Sequence, residues 1–124
     1  MAIHQSGEDY LEAIYVLSES HRGVHAVDVA SKLNFSKPSV TRAMRILKSN
    51  GYIFIDSDNH IILTEMGRKK AEAVFERHNT IAKFWIINGV SKENAYKDAC
   101  LMEHDISNET FECIKKIISK SVEE

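Results

Sequence analysis

The chain has 124 residues, 44% of them hydrophobic and 27% charged, and a formal net charge of −2. That length suits one domain or two small ones and excludes a large multidomain enzyme, while the near-neutral charge leaves any case for nucleic-acid binding to local patches. No apolar run approaches the roughly 18 residues that cross a bilayer, and Met1 to Gln5 opens no signal-peptide core, so a cytoplasmic protein with no membrane partner is expected.

From Gly7 to Ser20 the apolar residues Tyr10, Leu11, Ile14, Tyr15 and Leu17 recur at three- and four-residue spacing, which predicts an amphipathic helix with Ser6 as its N-cap. Gly23 breaks the pattern, and Ala26 to Leu33 predicts a short second helix ending at the turn Asn34-Phe35. Ser36 is placed to cap a third helix. Pro38 sits near its start, where a missing N–H costs nothing, and Val40, Ala43, Met44 and Leu47 form its inward stripe up to the terminator Asn50-Gly51. Tyr52 to Ile55 and Ile61 to Leu63 are β-prone runs around the polar Asp56 to His60, which predicts a hairpin. Thr64 caps a long helix reaching about Asn88, with Gly89 ending it. Ser91 to Ile106 and Asn108 to Val122 predict two further helices, the last capped by Ser107. The expected fold class is mainly α: an N-terminal winged helix-turn-helix over residues 1–70 followed by a helical domain over 71–124, joined by the long helix itself.

Charge divides along the same line. Residues 1–70 carry nine Lys and Arg against eight Asp and Glu, and residues 71–124 carry seven against ten, so the N-terminal part is the better partner for phosphate. Within it, Lys37, Arg42, Arg45 and Lys48 stand on the third helix with no acid between Ser36 and Asn50. Ser36, Ser39 and Thr41 add hydroxyl donors near its N-terminus, beside Pro38. In a winged helix this third helix enters the major groove of double-stranded DNA. Helical spacing directs Ser39 and Arg42 toward base edges, places Arg45 and Lys48 against phosphates, and leaves His60, at the hairpin tip, to reach the adjoining backbone.

The second half carries metal-ligand types. Cys100, Glu103 and His104 form Cys-x-x-Glu-His, which on a helix puts thiolate, carboxylate and imidazole on one face. Asp9 and Glu12 repeat the three-residue spacing on the first helix, and His78 sits on the long one, so six donors on three helices are available to a cation. Carboxylate and imidazole suit manganese(II) and iron(II), whereas one thiolate shifts preference toward iron, cobalt, nickel or zinc. Taken singly, each has a plainer reading: His78 as a half-buried residue, Asp9 and Glu12 as an acidic first turn, Cys100 as a small buried hydrophobe. Cys113, with no acid or histidine in register, keeps that structural reading, and a separation of 13 positions in helical sequence argues against a mutual disulfide between the cysteines.

The sequence resembles the metal-dependent repressors of the diphtheria toxin repressor and manganese transport regulator type. The resemblance is carried by Glu8 to Tyr15, Val27 to Ala30, Ser36 to Arg42, Leu63 to Gly67 and Asp98 to His104, in that order and over nearly the whole chain. It implies a homodimer formed through the helices after the hairpin, metal held between the DNA-binding and dimerisation domains, and repression of metal-uptake genes by the metal-loaded form. By position, Asp9 and Glu12 match the acidic pair of the manganese branch, Cys100 matches the iron branch, and His78, Glu103 and His104 match ligands of both. Ala82 stands where the family often has glutamate, and Tyr96 near where the iron branch has a second histidine. The implied corepressor is iron(II) or manganese(II), with zinc, cobalt or nickel able to bind in vitro. Two other readings stay open on the residues alone: a winged-helix regulator indifferent to metal, and a small metalloenzyme with Cys100 as nucleophile and His104 as base, for which no Gly-rich oxyanion loop is evident. No enzymatic activity is expected.

Overall fold

The computed structural model describes residues 5–20 and 23–123, with side chains for 7–20 and 23–120. The order of elements is α1 (Gln5–Ser20), α2 (Ala26–Leu33), α3 (Lys37–Ser49), β1 (Ile53–Ile55), β2 (Ile61–Leu63), α4 (Glu65–Ile87), α5 (Lys92–Met102) and α6 (Asn108–Glu123). The fold is mainly α. Two compact units divide it, Met1–Glu72 and Ala73–Glu124, with α4 beginning in the first and ending in the second.

In the first unit, α1 already runs at Gln5, so Ser6 lies inside the helix and not before it; its side chain is outside the described residues. The turn between α2 and α3 is made by Asn34 in the left-handed region (φ 58), a conformation asparagine tolerates better than most residues. Ser36 then caps α3, its Oγ accepting from Ser39 N at 3.3 Å, and Pro38 falls in the first turn. Gly51 (φ 81) turns the chain after α3 into the hairpin. β1 and β2 pair antiparallel, Ile53 with Leu63 and Ile55 with Ile61. Tyr52 stays outside the strand, but its carbonyl accepts from Thr64 N at 3.0 Å. Thr64 closes the start of α4 twice, accepting from Gly67 N (3.1 Å) and donating to Gly51 O (2.7 Å).

One core holds these elements. Leu11 and Ile14 of α1, Val29 of α2, Val40, Met44 and Leu47 of α3, and Ile53 and Ile61 of the hairpin are all buried together, each side chain contributing about 1.5–3 kcal/mol by leaving water. Burying the Val40–Met44–Leu47 stripe turns the opposite face of α3, with its cations, outward.

The second unit packs Ile81 and Ala82 of α4 against Ala95 and Ala99 of α5 and Phe111 of α6. Small residues at 82, 95 and 99 let the backbones approach, which explains helices whose apolar stripes carry few large side chains. Ser91 and Ser107 cap α5 and α6 through Asn94 N and Thr110 N. α5 is shorter than its periodicity predicts: it stops at Met102, with Glu103 as C-cap and His104 in the following turn. Asp105 N and Ile106 N both return to Met102 O, closing a tight turn in place of another helical one. No described helix is long and apolar enough to cross a membrane.

Candidate metal centre and nucleic-acid interface

The outer face of α3 presents Ser36, Lys37, Pro38, Ser39, Thr41, Arg42, Arg45 and Lys48, all exposed. Lys37, Thr41, Arg45 and Lys48 line one side of a groove of about 560 Å³ whose other side is formed by His25 and Val27 at the start of α2 and by Ile55 of the hairpin. A basic wall on an apolar floor suits a nucleic-acid backbone, because cations meet phosphates while methyl and methylene groups meet sugars and bases. Ser39 is less available than its spacing suggests, since its hydroxyl lies 2.9 Å from the capping hydroxyl of Ser36.

His60 does not stand at the hairpin tip. The tip is Ser57-Asp58, and His60 comes at the foot of the turn, just before β2, with its ring folded inward. Its Nδ1 lies 3.1 Å from Asp56 Oδ2, and its ring packs edge-on against His25 at 4.7 Å between centroids.

In the second unit, one ligand atom each of His78, Cys100 and Glu103 gather within 4.8 Å of one another. His78 Nδ1 is 3.0 Å from Glu103 Oε2, and His104 Nε2 is 3.1 Å from Glu103 Oε1. The Glu103 side chain is wholly buried and that of His104 is 3% exposed. Despite the short approach of His104, Glu103 Oε1 has no hydrogen bond: the imidazole is near but badly aligned, and this is the one buried side-chain oxygen or nitrogen among the described residues left in that state. A buried carboxylate oxygen without a donor costs several kcal/mol, on the order of 1–3 for the lost hydrogen bond and more where charge is involved. Divalent ions bind such donors at about 2.0–2.3 Å, so ligand atoms roughly 3–4 Å apart are spaced for one. Asp9 and Glu12 lie half-buried on α1 of the first unit.

Spacing in sequence does not reveal Arg77. Its Nη1 donates to the carbonyl oxygens of Glu103 (2.8 Å) and Ile106 (3.2 Å), and its guanidinium lies 5.0 Å from the centre of the Phe111 ring. It thereby holds the turn that carries Glu103 and His104. Trp85, the sole tryptophan, points Nε1 at Met102 Sδ (3.3 Å), beside the same turn. Ala82 is fully buried in the core, so the alanine there is a packing residue, and the Tyr96 ring lies 5.5 Å from that of His78. Cys113 departs from the buried hydrophobe expected: it is an exposed thiol on α6, outward of the Phe111–Ile114 stripe.

Two family profiles cover the chain. "Iron dependent repressor, N-terminal DNA binding domain" matches residues 3–61, and "Iron dependent repressor, metal binding and dimerisation domain" matches 64–123. The chain belongs to the iron-dependent repressor family. Among curated relatives of this repressor family, an uncharacterized HTH-type transcriptional regulator of Methanocaldococcus jannaschii is 34% identical over 118 residues, 94% of each chain. The transcriptional regulator MntR of Escherichia coli is 34% identical over 113 residues, 91% of this chain and 73% of its own. Among solved structures, the metal-dependent transcriptional regulator MtsR superposes with a TM-score of 0.85 at 26% identity, and the manganese regulator SloR with 0.80 at 25%. The repressor-family chain spans 91% and 96% of itself in these matches but about half of those structures, 53% and 55%. It is a metal-dependent DNA-binding transcriptional regulator, with a DNA-binding and a dimerisation domain, and not an enzyme. The donor set fits a divalent metal ion, in keeping with the metal-binding domain of the family: imidazole, thiolate and a buried carboxylate with one unsatisfied oxygen.

Proposed function

We propose that this protein represses metal-uptake genes in the cytoplasm as a homodimer, with iron(II) or manganese(II) as corepressor. The observation that carries the metal switch is the Glu103 carboxylate, buried between His78 and His104 with Oε1 unsatisfied. His78, Cys100, Glu103 and His104 are the proposed ligands on the second unit, and Asp9 and Glu12 the proposed carboxylates from the first. A divalent ion supplies the positive charge that these carboxylates lack. Glu103 engages the His78 imidazole through Oε2 and stands 3.1 Å from that of His104 with Oε1 unsatisfied, and Arg77 keeps its backbone in place. The similar structure of the manganese regulator SloR supports manganese, whereas the thiolate of Cys100 favours iron, cobalt or zinc.

On the DNA side, the cap Ser36 and Lys37, Pro38, Ser39, Thr41, Arg42, Arg45 and Lys48 of α3 are proposed to meet the operator, while His60, its ring against Asp56 and Gly23, is proposed to serve DNA binding through the hairpin and not by contact. Ser39 and Arg42 are assigned to base edges, and Arg45 and Lys48 to phosphates. A dimer of such modules reads two half-sites about one helical turn apart.

The test is operator binding with chelator, then with iron(II), manganese(II), cobalt(II) or zinc(II) restored, for the parent and for Cys100→Glu. Chelation is expected to abolish specific binding, and Cys100→Glu to move the preference toward manganese. Tight operator binding in chelator overturns the metal switch.

A further inference from the structure

Gly23 is a glycine for a reason other than backbone freedom. Its φ is not in the left-handed region, where Gly51 and Gly89 lie, yet a Cβ at this position would collide with the outer edge of the His60 ring, at Cδ2, Nε2 and Cε1. The ring therefore occupies the space of a side chain at 23.

Three further contacts fix it there. Asp56 accepts from His60 N (2.9 Å) through Oδ1 and from the ring Nδ1 (3.1 Å) through Oδ2; an ionised carboxylate only accepts, so Nδ1 carries the proton. The ring packs edge-on against His25, which begins α2 and whose backbone N–H donates to Asp28 at 2.8 Å. Next along, Ile61 N donates to Val24 O at 2.7 Å, tying β2 to the same segment. Of the two ring nitrogens, one is committed to Asp56 and the other faces Gly23.

We propose that His60 is a positioning residue for DNA binding: seated on Gly23 and His25, it locks the hairpin to the start of α2 and so sets the width of the groove between hairpin and α3, without touching phosphate. The assignment rests on the first unit being the DNA-binding one. His25 and Ile61 line that groove together with Lys37, Arg45 and Lys48, so a hairpin that swings changes the spacing between basic wall and apolar floor.

The test uses the full chain loaded with manganese(II) and a duplex selected from a random pool by the wild-type protein. Gly23→Ala leaves every donor to DNA in place; it and His60→Ala are each expected to weaken specific binding about tenfold, and the double variant to bind no more weakly than either single. The salt slope of log K is expected to stay that of the wild type in His60→Ala, whereas loss of a phosphate contact lowers it by about 0.9. His60→Arg, a cation too long for the seat, is expected to lose affinity as alanine does. Cobalt(II) affinity, read by visible absorption, should be unchanged in all. Should Gly23→Ala fail to fold, the salt slope and His60→Arg decide. A flatter slope in His60→Ala, full affinity in Gly23→Ala, or tighter binding by His60→Arg overturns the assignment. Failure of the wild type to select any duplex overturns the DNA-binding reading itself.

Discussion

His78 Nδ1 stands 3.0 Å from Glu103 Oε2, joining α4 to the end of α5 across 25 residues of sequence. The carboxylate that receives it is wholly buried, and its second oxygen faces His104 at 3.1 Å without a usable hydrogen-bond angle. An amide in place of Glu103 keeps the volume and removes the charge. If Glu103 is the ligand proposed above, Glu103→Gln is expected to keep the helical content and lose about 100-fold or more in metal affinity, because a charged carboxylate becomes a neutral amide while the imidazoles stay. Calorimetric titration with manganese(II) measures it. Wild-type affinity in the variant would remove Glu103 from the ligand set.

Arg77 is expected to act on the same ion from a distance. Its guanidinium ties the carbonyls of Glu103 and Ile106 and covers Phe111, so Arg77→Met frees the turn while leaving every proposed donor present. Outer partners of this kind are worth about 10–100-fold in metal affinity, and charge-assisted hydrogen bonds about 1.5–3 kcal/mol in stability. Arg77→Lys should recover part of the stability and little of the affinity, since an ammonium cannot reproduce the planar fork. Equal cobalt(II) affinity in wild type and Arg77→Met would leave Arg77 as a purely structural residue.

The contrast between Glu103 and Arg77 shows what a sequence can convey. Periodicity, serine caps and the order of elements located α2 and α3 to the residue, and the residue types of Cys100, Glu103, His104 and His78 pointed to a donor cluster, of which His78, Cys100 and Glu103 come within 4.8 Å of one another. The end of α5 was not legible, because no glycine or proline marks it; the turn closes on the Met102 carbonyl and is tied by Arg77, 26 residues upstream, reaching the Glu103 carbonyl. The place of His60, at the foot of the turn and not at its tip, was hidden for a similar reason. A polar residue in a turn looks solvent-facing, and only the space at Gly23 shows where its ring goes.

Asp56 makes the hairpin sensitive to acid. The backbone N–H of His60 foremost, then that of Asp58 and the His60 ring, outweigh the partial burial that would raise it and hold its carboxyl below the usual range. A depressed folded-state value contributes stability above the unfolded value of about 4 and loses it as pH falls through the folded one. The melting temperature of wild type should thus exceed that of Asp56→Asn near neutrality, with the gap closing below about pH 4. A gap that stays constant down to about pH 2.5 would show that the carboxylate charge plays no part.

Gly67 carries the tightest constraint at the start of α4. A Cβ there would strike the carbonyl oxygen of Tyr52, and that oxygen is held from the other side by Thr64 N at 3.0 Å and Thr64 Oγ1 at 3.1 Å. Neither partner can move cheaply, because Tyr52 leads into buried Ile53 and Thr64 caps the helix. Gly67→Ala is expected to cost about 2–4 kcal/mol, lowering the melting temperature by about 10 °C or more. Gly89→Ala is the useful comparison: φ 97 strains any side chain, but nothing lies within 4 Å of its Cβ, so the cost should stay at about 1–2 kcal/mol. Melting curves that rank the two the other way would mean that α4 does not begin packed against the Tyr52 carbonyl.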